Sequence, residues 1–271
     1  MNLLLVITTL LLPLYGVEES ISVQEYCQLI GAIDEVRQRV PTLNKFGSNY
    51  CFNTKLTEAF LSYCKEAAKP FHVLEVGAAF GIKSAQIVQT GASLTVNDLD
   101  PRHLEIIRST FYALSSRNSH FENASFFSGN YLNTPLGNNN FDAILIESVI
   151  HFLTPDETLQ MADKLYSDLK PGGRIFLIVS SPFLRFISEV HEERKAQNDL
   201  WPGYFPDPSV VHPLYVRLHK PYHFFDKETL SKVLIEAGFS IVEARYLPLP
   251  HHEYDMGLDG REGLMIIAEK S

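Results

Sequence analysis

The chain has 271 residues, 45% hydrophobic and 20% charged, the proportions of a globular protein long enough to bury one substantial core. Its 23 Lys and Arg against 32 Asp and Glu give a net charge of -9, with no basic block anywhere, which sets nucleic acid aside as a partner. The three cysteines, Cys27, Cys51 and Cys64, have no metal-ligand spacing, and their odd number argues against a disulfide framework, so all three are expected reduced.

Residues 1–16, MNLLLVITTLLLPLYG, are apolar and uncharged. They are too short for a bilayer span of about 20 residues but suit a signal-peptide core, whose positive flank is missing. An export signal, a membrane-surface anchor and a buried N-terminal element all stay open, and membrane contact is expected here if anywhere. Next, Val23, Tyr26, Cys27, Ile30, Ile33 and Val36 recur at spacings of three and four, which predicts a helix over 22–40 that Pro41 ends. A turn-rich loop at 44–50 leads to a second helix over 54–68, capped by Asn53 or Thr54, with Leu56, Phe60 and Cys64 on one face. Residues 17–70 are therefore expected to form a helical cap.

From Phe71 the pattern changes to short apolar runs separated by helical stretches. Strands are predicted at 73–76, 93–97, 125–128, 143–147 and 174–179, and helices at 83–89, 101–115 and 155–169. Such alternation makes βαβ units and a parallel sheet buried on both faces. The end departs from it: a helix over 227–237, stopped by Gly238, is followed by strands at 240–247 and 263–268 with no helix between, so these two must pair antiparallel. The expected fold is α/β: a doubly wound, mainly parallel seven-stranded sheet over 71–271, closed by a C-terminal antiparallel hairpin, with helices on both faces.

The first strand runs into Gly77-Ala78-Ala79-Phe80-Gly81. The dinucleotide fingerprint needs glycine at positions 1, 3 and 6 of such a loop, and the sixth position here is Ile82. The pattern acid-x-Gly-x-Gly-x-Gly falls instead on Glu75, Gly77, Ala79 and Gly81, with only Ala79 departing from it. At this point the sequence resembles the class I S-adenosylmethionine (SAM)-dependent methyltransferases, over about residues 71–270. The terminal hairpin and the Leu169-Lys170-Pro171-Gly172-Gly173-Arg174 turn agree with that family.

The resemblance implies SAM as cofactor, its methionine part cradled by the loop. Asp98, 21 residues after Gly77 at a strand end, is the expected ribose acid, with Leu99 beside it; Asp100 precedes Pro101 and reads as a helix cap. Asn130 stands where the family usually has an adenine-binding acid, with Tyr131 next to it, and Glu147 is expected either to position the cofactor's methyl end or to act on the substrate. His151, just past the fourth strand, is the candidate base or acceptor contact.

The segment 181–225, rich in aromatics, histidine and proline, is expected to be a lid that defines the substrate. No metal is expected, neither from its histidines nor from His251-His252-Glu253. Methyl transfer to an O or N of a small molecule is the first reading; a protein side chain as acceptor, or a non-catalytic SAM-binding protein, are the alternatives. A cofactor made inside cells suggests the cytoplasm, whereas residues 1–16 suggest export or anchoring.

Overall fold

The computed structural model of the protein describes residues 19–31, 39–212, 221–248 and 259–271. The apolar run 1–16 and the His251-His252-Glu253 group lie outside them. The N-terminal part contains α1 (Val23–Leu29), an antiparallel ribbon of β1 (Arg39–Pro41) and β2 (Ser48–Tyr50), and α2 (Lys55–Glu66). The helix predicted over 22–40 is cut short. Gly31 takes φ +70°, outside the helical region, and Val40 and Pro41 lie in β1. Residues 32–38 of the expected helix, with Ile33 and Val36, lie outside the described residues. The second helix begins at the expected cap: Thr54 and Thr57 close a capping box.

The main body then alternates β3 (His72–Val76), α3 (Ile82–Val88), β4 (Ser93–Asp98), α4 (Pro101–Ser115), β5 (Ala124–Ser128), β6 (Phe141–Glu147), α5 (Pro155–Asp168) and β7 (Leu169–Ser180). After β7 come α6 (Ile187–Ala196), a two-residue ribbon of β8 (Tyr204–Phe205) and β9 (Tyr222–His223), α7 (Lys227–Glu236), β10 (Phe239–Leu247) and β11 (Gly263–Lys270). The seven-stranded sheet has the order β10-β11-β7-β6-β3-β4-β5. β11 is antiparallel to both its neighbours and every other pairing is parallel. This is the doubly wound fold with its antiparallel finish that the sequence predicts.

Period-two alternation in the central strands explains the two layers of helices. Val73, Ala143, Leu145, Phe176 and Ile178 face one core, covered by α1 to α4. Leu74, Ile144, Ile146, Ile175 and Leu177 face the other, covered by α5 and α7. The Pro-Gly-Gly segment, expected as a turn before the strand, is instead counted within β7 as an irregularity. Pairing jumps from Phe141 with Leu169 to Ala143 with Arg174, and Gly172 takes up the slack at φ +74°. Topology also fixes where a ligand can lie. The chain leaves β3 toward β4 and β5, then returns on its other side to β6 and β7, so the switch point sits at the carboxyl end of β3.

The cysteine expectation is corrected. Cys27 on α1 and Cys51 just after β2 are disulfide-bonded, with Cα atoms 6.2 Å apart. An odd number excludes complete pairing, not one pair, and residues 24 apart in sequence meet only because the ribbon folds back on α1. Cys64 is free and buried, and burial pushes its thiol up to about 12.

The segment after β7 folds over the sheet as a unit with a small core of its own, formed by Leu184, Ile187, Phe205, Tyr222 and Phe224. Residues 213–220 of the expected lid lie outside the described residues. Gly203 is where this unit closes. Its carbonyl accepts from Phe224 N at 2.8 Å, and a Cβ at position 203 would lie inside the Phe224 carbonyl group. Backbone cannot step aside as a side chain can, so Gly203→Ala is expected to cost about 2 kcal/mol or more, the upper range for overpacking. Urea unfolding of the variant reads this directly, and an unchanged midpoint would mean that the two segments are not in contact. Among the described residues, no helix is long and apolar enough to cross a membrane, and no group of three or more His, Cys, Asp or Glu is placed to hold a metal.

Candidate active site

The loop between β3 and α3 is held by its own geometry. Gly77, Ala79 and Gly81 all take left-handed backbone, at φ +74°, +48° and +73°. Gly77 N and Ala78 N donate to Asn97 O at the end of β4. A Cβ on Gly77 would run into Val149 Cγ2, just beyond β6, and one on Gly81 would lie 2.7 Å from Ile107 Cγ1. Tyr26 of α1 reaches over the loop and donates to Phe80 O at 3.0 Å.

Three carboxylates converge beneath and beside this loop. Glu75, 4% exposed at the end of β3, accepts from Ser84 Oγ of α3. Glu147, at the end of β6, accepts from Thr57 Oγ1 of α2 at 2.5 Å. Lys83 is the cation among them. It is 3% exposed and donates to Phe52 O and Asn53 Oδ1 of the segment before α2, and burial lowers its pKa while Glu147 and Glu75 oppose that shift. Burial pushes the Glu75 carboxyl up to about 8, against a Ser84 hydrogen bond that favours the charged form and with added repulsion from Glu147.

An acid whose folded pKa lies above its unfolded value binds more protons when folded, so its contribution to stability falls as pH rises between the two values. For Glu75 that window runs from its ordinary value of 4.5 up to about 8. A single proton gives a slope of at most about 1.4 kcal/mol per pH unit. Stability is therefore expected to drop by about 1 kcal/mol from pH 6 to 7, and Glu75→Gln should flatten the profile. A variant profile parallel to that of the wild type would show that Glu75 does not titrate in this range.

Asp98, at the end of β4 and 4% exposed, accepts from three protein donors. Ala79 N is 2.7 Å from Oδ2, and Asp100 N and His103 Nδ1 are 2.8 and 3.0 Å from Oδ1. Leu99 beside it is half exposed. Asp100 is the N-cap of α4, as expected: its side chain accepts from Arg102 N and forms an ion pair with the Arg102 guanidinium, which holds the carboxyl down at about 2.

Beyond β5, exposed Asn130 caps a short turn, its Oδ1 accepting from Leu132 N at 3.0 Å. The Tyr131 ring is buried toward α5, where its hydroxyl donates to Asp168 at 2.8 Å and Lys164 lies over it, so only its backbone faces the end of β5. His151 lies in a turn past β6, 5% exposed, stacked on Tyr222 with ring centroids 4.7 Å apart and edge-on to Phe152 at 4.2 Å.

Residues 73–173 match the family described as a methyltransferase domain. Over those residues the chain is similar to a methyltransferase domain, set in a methyltransferase-like α/β fold. No curated protein matches its sequence. Among solved structures it is similar to a SAM-dependent methyltransferase of Methanosarcina mazei, at 18% identity and TM-score 0.58 over 75% of this chain and 94% of the other. It is also similar to a Burkholderia thailandensis 1,6-didemethyltoxoflavin N1-methyltransferase, at 20% identity and TM-score 0.55 over 80% and 77%. A third is a glycopeptide N-methyltransferase solved with SAM, at 14% identity and TM-score 0.54 over 81% and 96%. At these identities the likeness is one of fold.

The donor set of this site suits a cationic cofactor. Glu75, Asp98 and Glu147 lie close enough for Glu147 and Asp98 both to act on Glu75, with Lys83 the opposing cation. Sequence reasoning missed Lys83, Thr57, Tyr26 and His103, which hold the acids and the loop. A lysine on a buried face of α3 was a visible oddity. Tyr26 and Thr57 owe their roles to partners 54 and 90 residues away, while His103 lies five residues from Asp98 on the following helix.

Proposed function

We propose that this methyltransferase moves the methyl group of SAM to an oxygen or nitrogen of a small molecule. The supporting observation is an aromatic roof built from three separate segments at the carboxyl end of β6. Phe46 of the β1–β2 ribbon packs on Phe152 with centroids 5.6 Å apart, and Phe152 and His151 both pack on Tyr222. Packed rings from three segments suit an acceptor enclosed by apolar surface better than an extended protein chain.

In this reading Gly77, Ala79 and Gly81 cradle the methionine part, Asp98 takes the ribose, and Leu99, Asn130 and the Tyr131 backbone border the adenine. Asp98 already accepts three bonds, so its carboxylate has about one acceptor site left for a hydroxyl rather than two. Glu147 supplies negative charge near the methyl end, beside the buried Glu75, whose carboxyl burial pushes up to about 8. When bound, SAM supplies an electrophilic methyl group on a positively charged sulfur. The protein's task is then to hold the acceptor atom in line and to exclude water. Where the acceptor must lose a proton, His151 is the nearest candidate base.

Calorimetry with S-adenosylhomocysteine, followed by transfer of labelled methyl into fractionated lysate, tests the proposal. Label in the small-molecule fraction is the expected result. Label in protein alone would transfer the assignment to a side-chain methyltransferase, and no binding would remove the cofactor reading.

The Cys27–Cys51 bond also supports maturation in an oxidising compartment, the alternative that residues 1–16 raise against the cytoplasm. Sequencing the N-terminus of the mature protein tests it, with a start near residue 17 as the supporting result.

A further inference from the structure

His103 joins three parts of the cofactor site that nothing else connects so directly. It sits in the first turn of α4, wholly buried, with Nδ1 3.0 Å from Asp98 Oδ1 and Nε2 3.0 Å from Leu43 N. A backbone amide only donates, so Nε2 must be the acceptor and the ring proton sits on Nδ1, pointing at the carboxylate. The Phe80 ring of the glycine loop packs edge-on at 4.9 Å and fixes the imidazole plane. Of the three donors that aim Asp98, His103 is the one side chain; the other two are backbone amides of Ala79 and Asp100.

The far end of this connection is equally specific. Leu43 lies in the turn of the β1–β2 ribbon and is 39% exposed. Both of its backbone polar groups are bonded to the first turn of α4: N–H to His103, and C=O to Arg102 Nη2 at 3.2 Å. The same ribbon carries Phe46 into the aromatic roof.

We infer that His103 is a positioning residue for Asp98, and that through it docking of the β1–β2 ribbon and binding at the ribose end of the cofactor site favour each other. The inference rests on the proposed role of Asp98. Coupling of this kind is reciprocal: whatever the docked ribbon contributes to cofactor affinity, the cofactor returns to ribbon docking.

Two substitutions separate the halves of the connection. In His103→Asn the amide nitrogen takes the place of Nδ1 and still donates to Asp98, but nothing reaches Leu43. In His103→Gln an oxygen near the Nε2 position still accepts from Leu43 N–H, and the donor to Asp98 is lost. His103→Gln is expected to weaken S-adenosylhomocysteine binding about 10-fold, the loss of one bond to a charged group, and His103→Asn by less than about threefold.

Hydrogen exchange gives a readout that simple packing would not move. Saturating S-adenosylhomocysteine should slow exchange of the Leu43 amide in the wild type about two- to threefold and leave it unchanged in His103→Asn. Unaltered Leu43 exchange in the liganded wild type overturns the coupling even if neither variant folds. Wild-type affinity in His103→Gln, or equal weakening of both variants, overturns the positioning role. If Asp98→Asn itself binds as tightly as the wild type, the ribose assignment fails instead, which is a different result from a normal His103→Gln beside a weakened Asp98→Asn.

Discussion

Replacing Asp98 with Asn is expected to weaken binding of S-adenosylhomocysteine by about 10- to 100-fold, as a lost bond to a charged group of 1.5–3 kcal/mol implies. Both carboxylate oxygens of Asp98 already accept, Oδ2 from Ala79 N and Oδ1 from Asp100 N and His103. An Asn side chain has one acceptor oxygen, and its NH2 group must then face either Ala79 N–H or the donors on Oδ1. Either way a donor meets a donor in a site that is 4% exposed, and the loop residue Ala79 loses its anchor or α4 loses its start.

Asp100→Asn is the matched control. That carboxyl serves as a cap and pairs with an exposed guanidinium, so its variant should bind within about threefold of wild type and lose about 1 kcal/mol of stability at most. Calorimetry on the two variants gives the comparison. A larger effect at Asp100 would exchange the roles of the two acids.

The placement of much of the candidate site was legible because its determinants are local. Glu75, Gly77, Ala79, Gly81 and Asp98 lie on two consecutive strands and their exits, where the spacing of acids and small residues maps directly onto strand ends. The parallel body and the antiparallel finish were likewise written in strand and helix periodicity. Three things were not. Gly31 stops a helix whose apolar period carries on beyond it, because periodicity measures side chains and not φ. Tyr131, read as part of the adenine loop, turns its ring away to Asp168, a partner 37 residues downstream. The N-terminal segment, expected as a helical cap, includes a ribbon that reaches His103, while the segment after it reaches Lys83 and α2 reaches Glu147, contacts that depend on tertiary placement alone. Side-chain partners at such separations leave no periodic trace.

The cysteines carry the largest stability prediction for the same reason. Reducing the Cys27–Cys51 bond, or changing Cys51→Ser, is expected to remove about 3 kcal/mol, the loop-closure value for residues some 24 apart. Its consequence should reach the cofactor site. α1 holds the glycine loop through Tyr26 and Phe80, while the segment after Cys51 holds Lys83 through Phe52 O and Asn53. The disulfide is the covalent tie between these two supports, so S-adenosylhomocysteine affinity should fall along with the melting temperature when the protein is reduced. Alkylation in denaturant without reductant should tag Cys64 alone, and in the folded protein none, because that thiol is buried and held protonated. Three tagged cysteines in denaturant would show that the bond does not form. A melting temperature indifferent to reductant would show that it forms without bearing on the fold, and the link from α1 to the glycine loop would then rest on Tyr26 alone.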